Sequence, residues 1–424
     1  MVKPNLVNAQ EAIKAIKPDS TVFIGESCGD PQTLVEALIA NKENLKGTRL
    51  LDSRRFVGSK YVPLSDYFKI ISFQLAPDTY NAAHSGKIEY LPLKLSEMHR
   101  LLSPDGPLPI DVALVQVSPP DTKGYCSFGV SVGYTLDAAL KAKVVIAEMN
   151  EHMPRTYGSS LPMDKFDYIV KTSRPLLEYP SPKISDQHVQ VAQNVSRFIS
   201  DGDTLSLGIG AVPEAVLKTL HGRHNLGIHS GLITDGIIGP IEENIITNRQ
   251  KRINKDRTIS AQAMGSQKFF QFLHENPRIE MRPYSYTHDI KTIEQLDNFI
   301  LINSALEIDL TGQINCESIG SIQFGGVGGQ ADFVRGAALS KGGKVIIALT
   351  ATTRDGKVSR IVSQFREGTI VSTPRYDVQY IVTEYGIAEL WGKTLSRRIE
   401  ALISIAHPDF RDELRQAATS KEIP

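Results

Sequence analysis

Short apolar runs separated by helical patterns recur along the whole chain. Residues 111–117 are DVALVQV and residues 142–148 are AKVVIAE, and comparable runs lie at 345–349 and 378–382. Runs this apolar are typical of strands in parallel sheets that helices cover on both faces, because such strands have no side in water. The pattern therefore predicts an α/β protein built on open sheets.

One part of this pattern occurs twice. A helical segment beginning at Ala9 leads through a turn into a strand that ends before Gly25, and a proline then opens another helical segment. The same order begins at Ala192 and reaches Gly208, with the register kept at a shift of 183 positions. A shared order of helix, turn, strand, glycine and helix favours two related α/β halves.

A proline-rich stretch at residues 179–183 lies between the two copies. Proline-rich segments with few apolar residues are typical of linkers between domains. A chain of 424 residues also exceeds what one hydrophobic core usually serves. We therefore predict two domains, over residues 1–182 and 183–424.

The second copy contains a glycine turn between its strand and its helix. The segment is LSLGIGAVPEAVL, with Pro213 in the first turn of the predicted helix. A glycine turn that feeds a helix leaves backbone N–H groups free to bind an anionic or phosphate-bearing ligand. The same spacing also fits an ordinary connection between a strand and a helix.

The composition excludes several classes of partner. Hydrophobic residues make up 41% and charged residues 22% of the chain, and Lys plus Arg equals Asp plus Glu at 47 each. This balance indicates neither nucleic acid nor a membrane surface as a partner. The three cysteines are far apart, which argues against a disulfide framework and predicts the cytoplasm as the compartment.

Other chemistries have weaker support. Residues 326–331, GVGGQA, satisfy the dinucleotide fingerprint, but no carboxylate follows at 345–351, where a ribose partner is expected. His221 and His224 are the one close histidine pair, without a cysteine or carboxylate pair at ligand spacing. We therefore expect neither a nicotinamide nor a metal.

Several polar residues follow predicted strands. Glu26 comes directly after the first strand, residues 118–129 form a turn-rich loop, and Glu148 ends another strand. Ligands collect at the carboxyl edge of parallel sheets, so these residues are candidates for one crevice. The alternative is that they are loop residues in water.

In combination, nine segments resemble the acetyl-CoA hydrolase/CoA-transferase family, which includes 4-hydroxybutyrate and acetate CoA-transferases. These are LGIGAVPEAVL, NLGIHSG followed by ITDG, NSALEIDLTGQINCESIG, GGVGGQADFVRGA, SRIV, VTEYGIAEL and IAHPDFR, with SPPDTKGYCSFG and MNEHMPRT in the first half. The resemblance covers essentially the whole chain. It implies two α/β domains of the CoA-transferase type, with coenzyme A bound as the substrate thioester at two glycine loops. The implied CoA-binding residues are Gly208, Ile209, Gly210, Ala211, Val212, Gly326, Gly328, Gly329 and Gln330.

One position departs from the family pattern. The resemblance implies a segment NLGxHTE whose glutamate attacks the acyl-CoA, whereas this chain has Gly231 at that place. A carboxylate is needed there because it is both a nucleophile and a competent leaving group. Glycine has neither property.

Three interpretations therefore stay open. Another carboxylate, with Glu26 as the candidate, replaces the missing one and the protein is a CoA-transferase acting on an acyl-CoA and a small carboxylic acid. Alternatively, His229, Asp235 or His288 activates water and the protein is an acyl-CoA hydrolase. The third interpretation is a protein that binds CoA without turnover. The acyl group and the oligomeric state, including a homo-oligomer, are left open.

Overall fold

The computed structural model describes residues 4–52, 60, 62–76 and 79–420. The chain forms two compact units. Unit 1 comprises residues 1–181, 231–235 and 259–287, and unit 2 comprises residues 182–230, 236–258 and 288–424. The boundary predicted between residues 182 and 183 stays a prediction.

The helices and strands follow in chain order. The strands are β1 (Asn5–Leu6), β2 (Thr21–Ile24), β3 (Arg49–Asp52), β4 (Lys69–Ser72), β5 (Ile88–Tyr90), β6 (Val112–Val117), β7 (Tyr125–Ser127), β8 (Val144–Asn150), β9 (Ser160–Pro162), β10 (Tyr168–Thr172), β11 (Thr204–Leu207), β12 (Gly227–Ile233), β13 (Thr258–Ala263), β14 (Ile279–Met281), β15 (Phe299–Asn303), β16 (Glu307–Asp309), β17 (Ile314–Asn315), β18 (Ser318–Ile319), β19 (Ile322–Gln323), β20 (Lys344–Ala348), β21 (Ile361–Val362), β22 (Tyr380–Thr383) and β23 (Gly386–Glu389). The helices are α1 (Ala9–Ile13), α2 (Gln32–Ala40), α3 (Tyr80–His84), α4 (Met98–Leu101), α5 (Thr135–Lys141), α6 (Asp186–Ser196), α7 (Ala211–Lys218), α8 (Ile238–Glu242), α9 (Gln267–Leu273), α10 (Tyr284–Thr287), α11 (Ile290–Ile293), α12 (Gln330–Leu339), α13 (Leu395–Ile405) and α14 (Pro408–Ser420).

Unit 1 is organised on one parallel sheet in the order β1-β10-β8-β6-β2-β3-β4-β5. The central strands β2 and β6 are buried at every position, as their largely apolar sequences predict. Leu34 and Leu38 of α2 pack in one buried cluster with Val22, Ile24 and Leu114 of these strands. Each such side chain contributes about 1.5–3 kcal/mol by its burial.

In the second sheet, the strands of unit 2 have the order β12-β11-β15-β20-β22-β23. These strands are parallel except for the pair β22 and β23. The predicted open-sheet α/β fold is therefore confirmed in both units. Within the described part of the chain, no helix has both the length and the apolar character needed to cross a membrane.

The predicted repeat corresponds to equivalent strands in the two sheets. Thr21 and Thr204 begin β2 and β11, and Ile24 and Leu207 end them, so both ends are 183 positions apart. In each sheet the strand order changes direction beside this strand: β3 lies on one side of β2 and β6 on the other, and β12 and β15 flank β11 in the same way. Such switch points open a crevice at the carboxyl ends of the strands.

Glu148, at the carboxyl edge of the unit 1 sheet, holds the start of α2. Its carboxylate accepts hydrogen bonds from the Thr33 N–H and hydroxyl, both at 2.9 Å, and from the Leu34 N–H at 3.2 Å. Burial raises the pKa of Glu148, and the three hydrogen bonds oppose that rise. The residue thus caps a helix across the sheet and is not a solvated loop residue.

We expect Glu148→Gln to lower the free energy of unfolding by about 1–3 kcal/mol, because an amide NH₂ would face the N–H donors that the carboxylate now accepts. Chemical denaturation measures the loss. Glu89→Gln, at an exposed position on β5, is the control and should change stability by less than about 0.5 kcal/mol. Equal losses in the two variants would contradict the capping role.

Candidate active site

The glycine turn of unit 2 lies at its switch point. Gly208 follows β11, and Gly210 precedes α7 with φ at +121°, a conformation that other residues rarely adopt. A Cβ atom on Gly208 would lie 2.6 Å from Oδ1 of Asn303, at the end of β15. Gly210 is therefore favoured by its backbone conformation, whereas a side chain at position 208 would displace the Asn303 amide. The turn is partly open to solvent. The start of α7 presents backbone N–H groups there.

A second glycine loop opens α12. Gly328 has φ at +57° and Gly329 precedes the helix. A Cβ atom on Gly329 would overlap the imidazole of His288. Gln330 is buried, and its Nε2 donates to Oγ1 of Thr373 at 2.9 Å. The loop is therefore fixed by close packing on one side, while residues 323–329 stay partly exposed.

Two predicted histidines pack around one aromatic ring in unit 2. The ring of His288 lies 4.6 Å from that of Phe333, and the ring of His229 lies 6.5 Å from it, between centroids. Both histidines are buried. Burial and, to a smaller extent, the nearby His229 lower the pKa of His288 to about 3. His288 is therefore neutral at neutral pH and is a weak proton acceptor.

Side chains fix the segment of β12 that precedes Gly231. The Ser230 hydroxyl donates to the Leu207 carbonyl at 3.0 Å and accepts from the Leu207 N–H at 3.2 Å. Two residues before Ser230, the Ile228 N–H donates to Oδ1 of Asn248 at 2.8 Å and the Ile228 carbonyl accepts from Nζ of Lys251 at 2.9 Å. Backbone pairing between β11 and β12 ends at Leu205 and Ile228. Beyond this point the Ser230 hydroxyl connects the two strands through its hydrogen bonds to Leu207.

Glu26 lies at the switch point of unit 1, two residues after β2. It is only 2% exposed, and its Oε1 accepts from the Tyr134 N–H at 3.2 Å. A Cβ atom on Gly133 would lie 2.5 Å from that oxygen and 2.6 Å from the ring of Tyr284. Gly133 is thus the residue that lets the carboxylate and the aromatic ring approach this closely.

The residue after Glu26 has an unusual backbone conformation. Ser27 has φ at +57°, which costs a non-glycine residue about 1–2 kcal/mol. Such strain persists only where the surrounding structure imposes it, and it is concentrated at functional sites. The Ser131 hydroxyl donates to the Glu26 carbonyl at 2.9 Å and so holds the peptide group that joins Glu26 to Ser27.

Asp235 is tied to the start of α9 in unit 1. Its carboxylate accepts hydrogen bonds from the Ser266 N–H at 3.0 Å and from the Ser266 hydroxyl, and Ser266 is the N-cap residue of α9. Asp235 also faces the Cys28 thiol, whose pKa is raised to about 12, first by burial and then by nearby carboxylates. These contacts give Asp235 an anchoring role.

The predicted catalytic residues fall in two groups. Glu26 and Asp235 belong to unit 1, which also contains Gly231, whereas His229 and His288 belong to unit 2 together with all nine predicted CoA-binding residues. Their catalytic and binding roles stay predictions.

The sequence analysis did not single out Gln262. This residue lies inside β13, where the other five residues of the strand are small or apolar, and its side chain is buried. A glutamine in such a run is the pattern that could have drawn attention to it, because a buried amide needs hydrogen-bond partners.

The comparison with known proteins agrees over nearly the entire chain. Residues 3–177 match the acetyl-CoA hydrolase/transferase N-terminal domain, and residues 265–418 match the C-terminal domain of the same family. A 4-hydroxybutyrate coenzyme A transferase from Clostridium kluyveri is 44% identical over 415 residues, which are 97% of this chain and 96% of that protein. This chain belongs to the acetyl-CoA hydrolase/transferase family.

Solved structures of this family have the same fold. RipA from Yersinia pestis is 33% identical with a TM-score of 0.93, over 98% of this chain and 97% of that one. The 4-hydroxybutyrate CoA-transferase from Porphyromonas gingivalis is 35% identical with a TM-score of 0.84, over the same shares. The resemblance predicted from the nine sequence segments is therefore confirmed.

The low pKa of His288 predicts a pH-dependent effect on stability. Between pH 6.5 and 3 the unfolded chain binds a proton at His288 that the folded chain does not, so His288 destabilises the fold increasingly as the pH falls. At pH 5 the low pKa of His288 reduces the free energy of unfolding by about 2 kcal/mol. We expect His288→Gln to cost about 2 kcal/mol less stability at pH 5 than at pH 7, measured by chemical denaturation.

The matched control for this measurement is His152→Gln, at an exposed position. Its cost should be within about 0.5 kcal/mol, because the side chain is exposed and packs against no core. A cost of His288→Gln that is equal at pH 5 and pH 7 would contradict the assignment of His288 as a buried neutral imidazole.

Proposed function

We propose that this protein is a CoA-transferase that moves CoA between an acyl-CoA thioester and a small carboxylic acid. The observation on which the proposal rests is the similarity to 4-hydroxybutyrate CoA-transferases over nearly the full length of both chains. Similarity restricted to one domain would support the fold alone, whereas here both family domains are matched.

The glycine turns are the proposed sites for CoA. Residues 208–212 combine a turn at a switch point with free N–H groups at a helix start, which suits the phosphates of CoA. Residues 326–330 provide a second glycine-rich surface at the start of α12. Neither surface needs a metal ion or a nicotinamide.

Glu26 is the carboxylate that we propose in place of the missing one at Gly231. It belongs to the same unit as Gly231, is buried, and lies at the carboxyl end of a switch-point strand beside the strained Ser27. A buried carboxylate is a better nucleophile than a solvated one, because water no longer stabilises its charge.

CoA transfer requires a carboxylate that can both attack the first thioester and act as a leaving group toward the second acid. Glu26 would attack the thioester carbonyl and expel CoA thiolate, which leaves an anhydride between Glu26 and the acyl group. The thiolate then attacks the Glu26 carbonyl, releases the first acid and forms a glutamyl-CoA thioester. The second acid repeats the sequence in reverse, so the thioester energy is kept and Glu26 is regenerated.

Acyl-CoA hydrolysis is the second candidate, favoured by the glycine at position 231. It requires a group that accepts a proton from water. His288 is a weak proton acceptor because its pKa is about 3. The Asp235 carboxylate already accepts hydrogen bonds from Ser266. His229 is the remaining candidate base. Binding without turnover is the third candidate.

We propose the cytoplasm as the compartment, since the three cysteines are free thiols. The proposed partners are an acyl-CoA and a small carboxylic acid, without nucleic acid or membrane.

An assay of CoA release over a panel of acyl-CoA thioesters separates the three candidates. For a transferase we expect release only when a carboxylic acid such as acetate or butyrate is added, with a new thioester formed in equal amount. Release without acid would identify a hydrolase. If calorimetry shows that CoA binds but no CoA is released under either condition, the protein is a CoA-binding protein without turnover.

A trapped intermediate tests the role of Glu26. After incubation with acyl-CoA and reduction with borohydride, we expect the modified mass on the peptide containing Glu26. Glu26→Gln should lose the adduct and lower kcat by about 10³-fold or more, because the nucleophile is gone. Glu26→Gln combined with Gly231→Glu should regain an adduct, now at position 231.

The peptide containing Glu148 is the internal control for this mapping, because Glu148 is also buried but its carboxylate is occupied by α2. An adduct on any carboxylate other than Glu26 in the natural sequence would reject Glu26. Acid-dependent exchange without a trapped adduct, and unaffected by Glu26→Gln, would do so as well.

A further inference from the structure

The amide of Gln262 is buried without a partner. The side chain is 2% exposed, and its Nε2 atom has no hydrogen-bond partner within the described ranges of the chain. Burying an amide NH₂ without an acceptor is costly, and most buried side-chain donors in folded proteins are paired. The buried NH₂ group of Gln262 therefore lacks a hydrogen-bond acceptor within the described residues.

Its position in unit 1 defines which region it faces. Gln262 and Ser131 form an antiparallel bridge, and residues directly opposite in such a pair project to the same face. The Ser131 hydroxyl donates to the Glu26 carbonyl, and a Cβ atom on Gly29 would lie 2.5 Å from that of Ser131. The Gln262 side chain is thus on the face that packs on the loop of residues 26–29.

Gln116 shows how the same unit treats a buried amide that is structural. It is also 2% exposed and lies in β6, beside β2. Its Nε2 donates to the Asp30 carbonyl at 2.6 Å, and its Oε1 accepts from Nδ2 of Asn150 at 2.8 Å. The Gln116 amide is hydrogen-bonded within the protein, whereas Nε2 of Gln262 is not. Nε2 of Gln262 is therefore available to an acceptor on a ligand.

We propose that Nε2 of Gln262 binds an oxygen of the reacting acyl group: a carboxylate oxygen of the free acid or the carbonyl oxygen of the thioester. The inference rests on the proposed transferase function and on Glu26 as its nucleophile. When the Glu26 carboxylate adds to the thioester carbonyl, the carbonyl electron pair moves onto that oxygen. The fixed N–H donor stabilises the charge until the CoA thiolate leaves and the carbonyl forms again.

The role predicts opposite effects on stability and on catalysis. Gln262→Met keeps the volume and removes a donor that has no partner, so the melting temperature should stay the same or rise. Gln116→Met removes a paired amide and should lower it. For Gln262→Met we expect kcat/KM for the acid to fall by at least about tenfold, the value of one hydrogen bond to a charged group.

The KM for acyl-CoA should change by less than about threefold in Gln262→Met, because most of the thioester's binding comes from CoA itself. Gln271→Met, at an exposed position on α9 in the same unit, is the kinetic control and should resemble the natural sequence. A lower melting temperature with unchanged kinetics in Gln262→Met would make the residue structural and overturn the inference.

Saturation-transfer NMR with butyrate provides a readout that does not depend on turnover. We expect a butyrate signal with the natural sequence and its loss in Gln262→Met. If the natural sequence binds butyrate through Gln262 but exchanges no CoA, the transferase proposal fails and the acid site stands. A butyrate signal that persists in Gln262→Met, or is absent from both proteins, would overturn the site.

Discussion

The hydrogen bond that closes each switch point is the constraint on which the two units depend. In unit 1 the Gly25 N–H donates to the Leu114 carbonyl at 2.8 Å, and in unit 2 the Gly208 N–H donates to the Ile302 carbonyl at 3.0 Å. Each glycine ends the pairing of its strand with the neighbour across the switch point. Beyond it the chain turns away from the sheet, and the following residues form the edge of a crevice.

Much of the fold is readable from the sequence because apolar runs identify parallel strands whose two faces are both covered. The repeat that ends at Gly25 and Gly208 predicted two related halves, and the structure has equivalent strands before these two glycines. The membership of residues 231–235 and 259–287 in unit 1 was not predictable in this way. It depends on contacts distant in sequence, which periodicity does not report.

The candidate site was only partly predictable for a related reason. Glu26 and Glu148 have a similar sequence description, an acidic residue at the end of a buried strand or just after it. The structure separates them by their partners, because Glu148 holds a helix whereas Glu26 lies beside a strained residue and two tyrosines. Gln262 was missed because a single polar residue in a strand does not disclose whether it is paired.

The contact between Gly329 and His288 has a consequence for how the sequence can change over time. Any side chain at position 329 would meet the imidazole, and a smaller residue at 288 would leave a hole beside Phe333. Either substitution alone costs stability, so a change at one of the two positions favours a compensating change at the other. Among descendants of this chain, variation at the two positions should therefore be correlated.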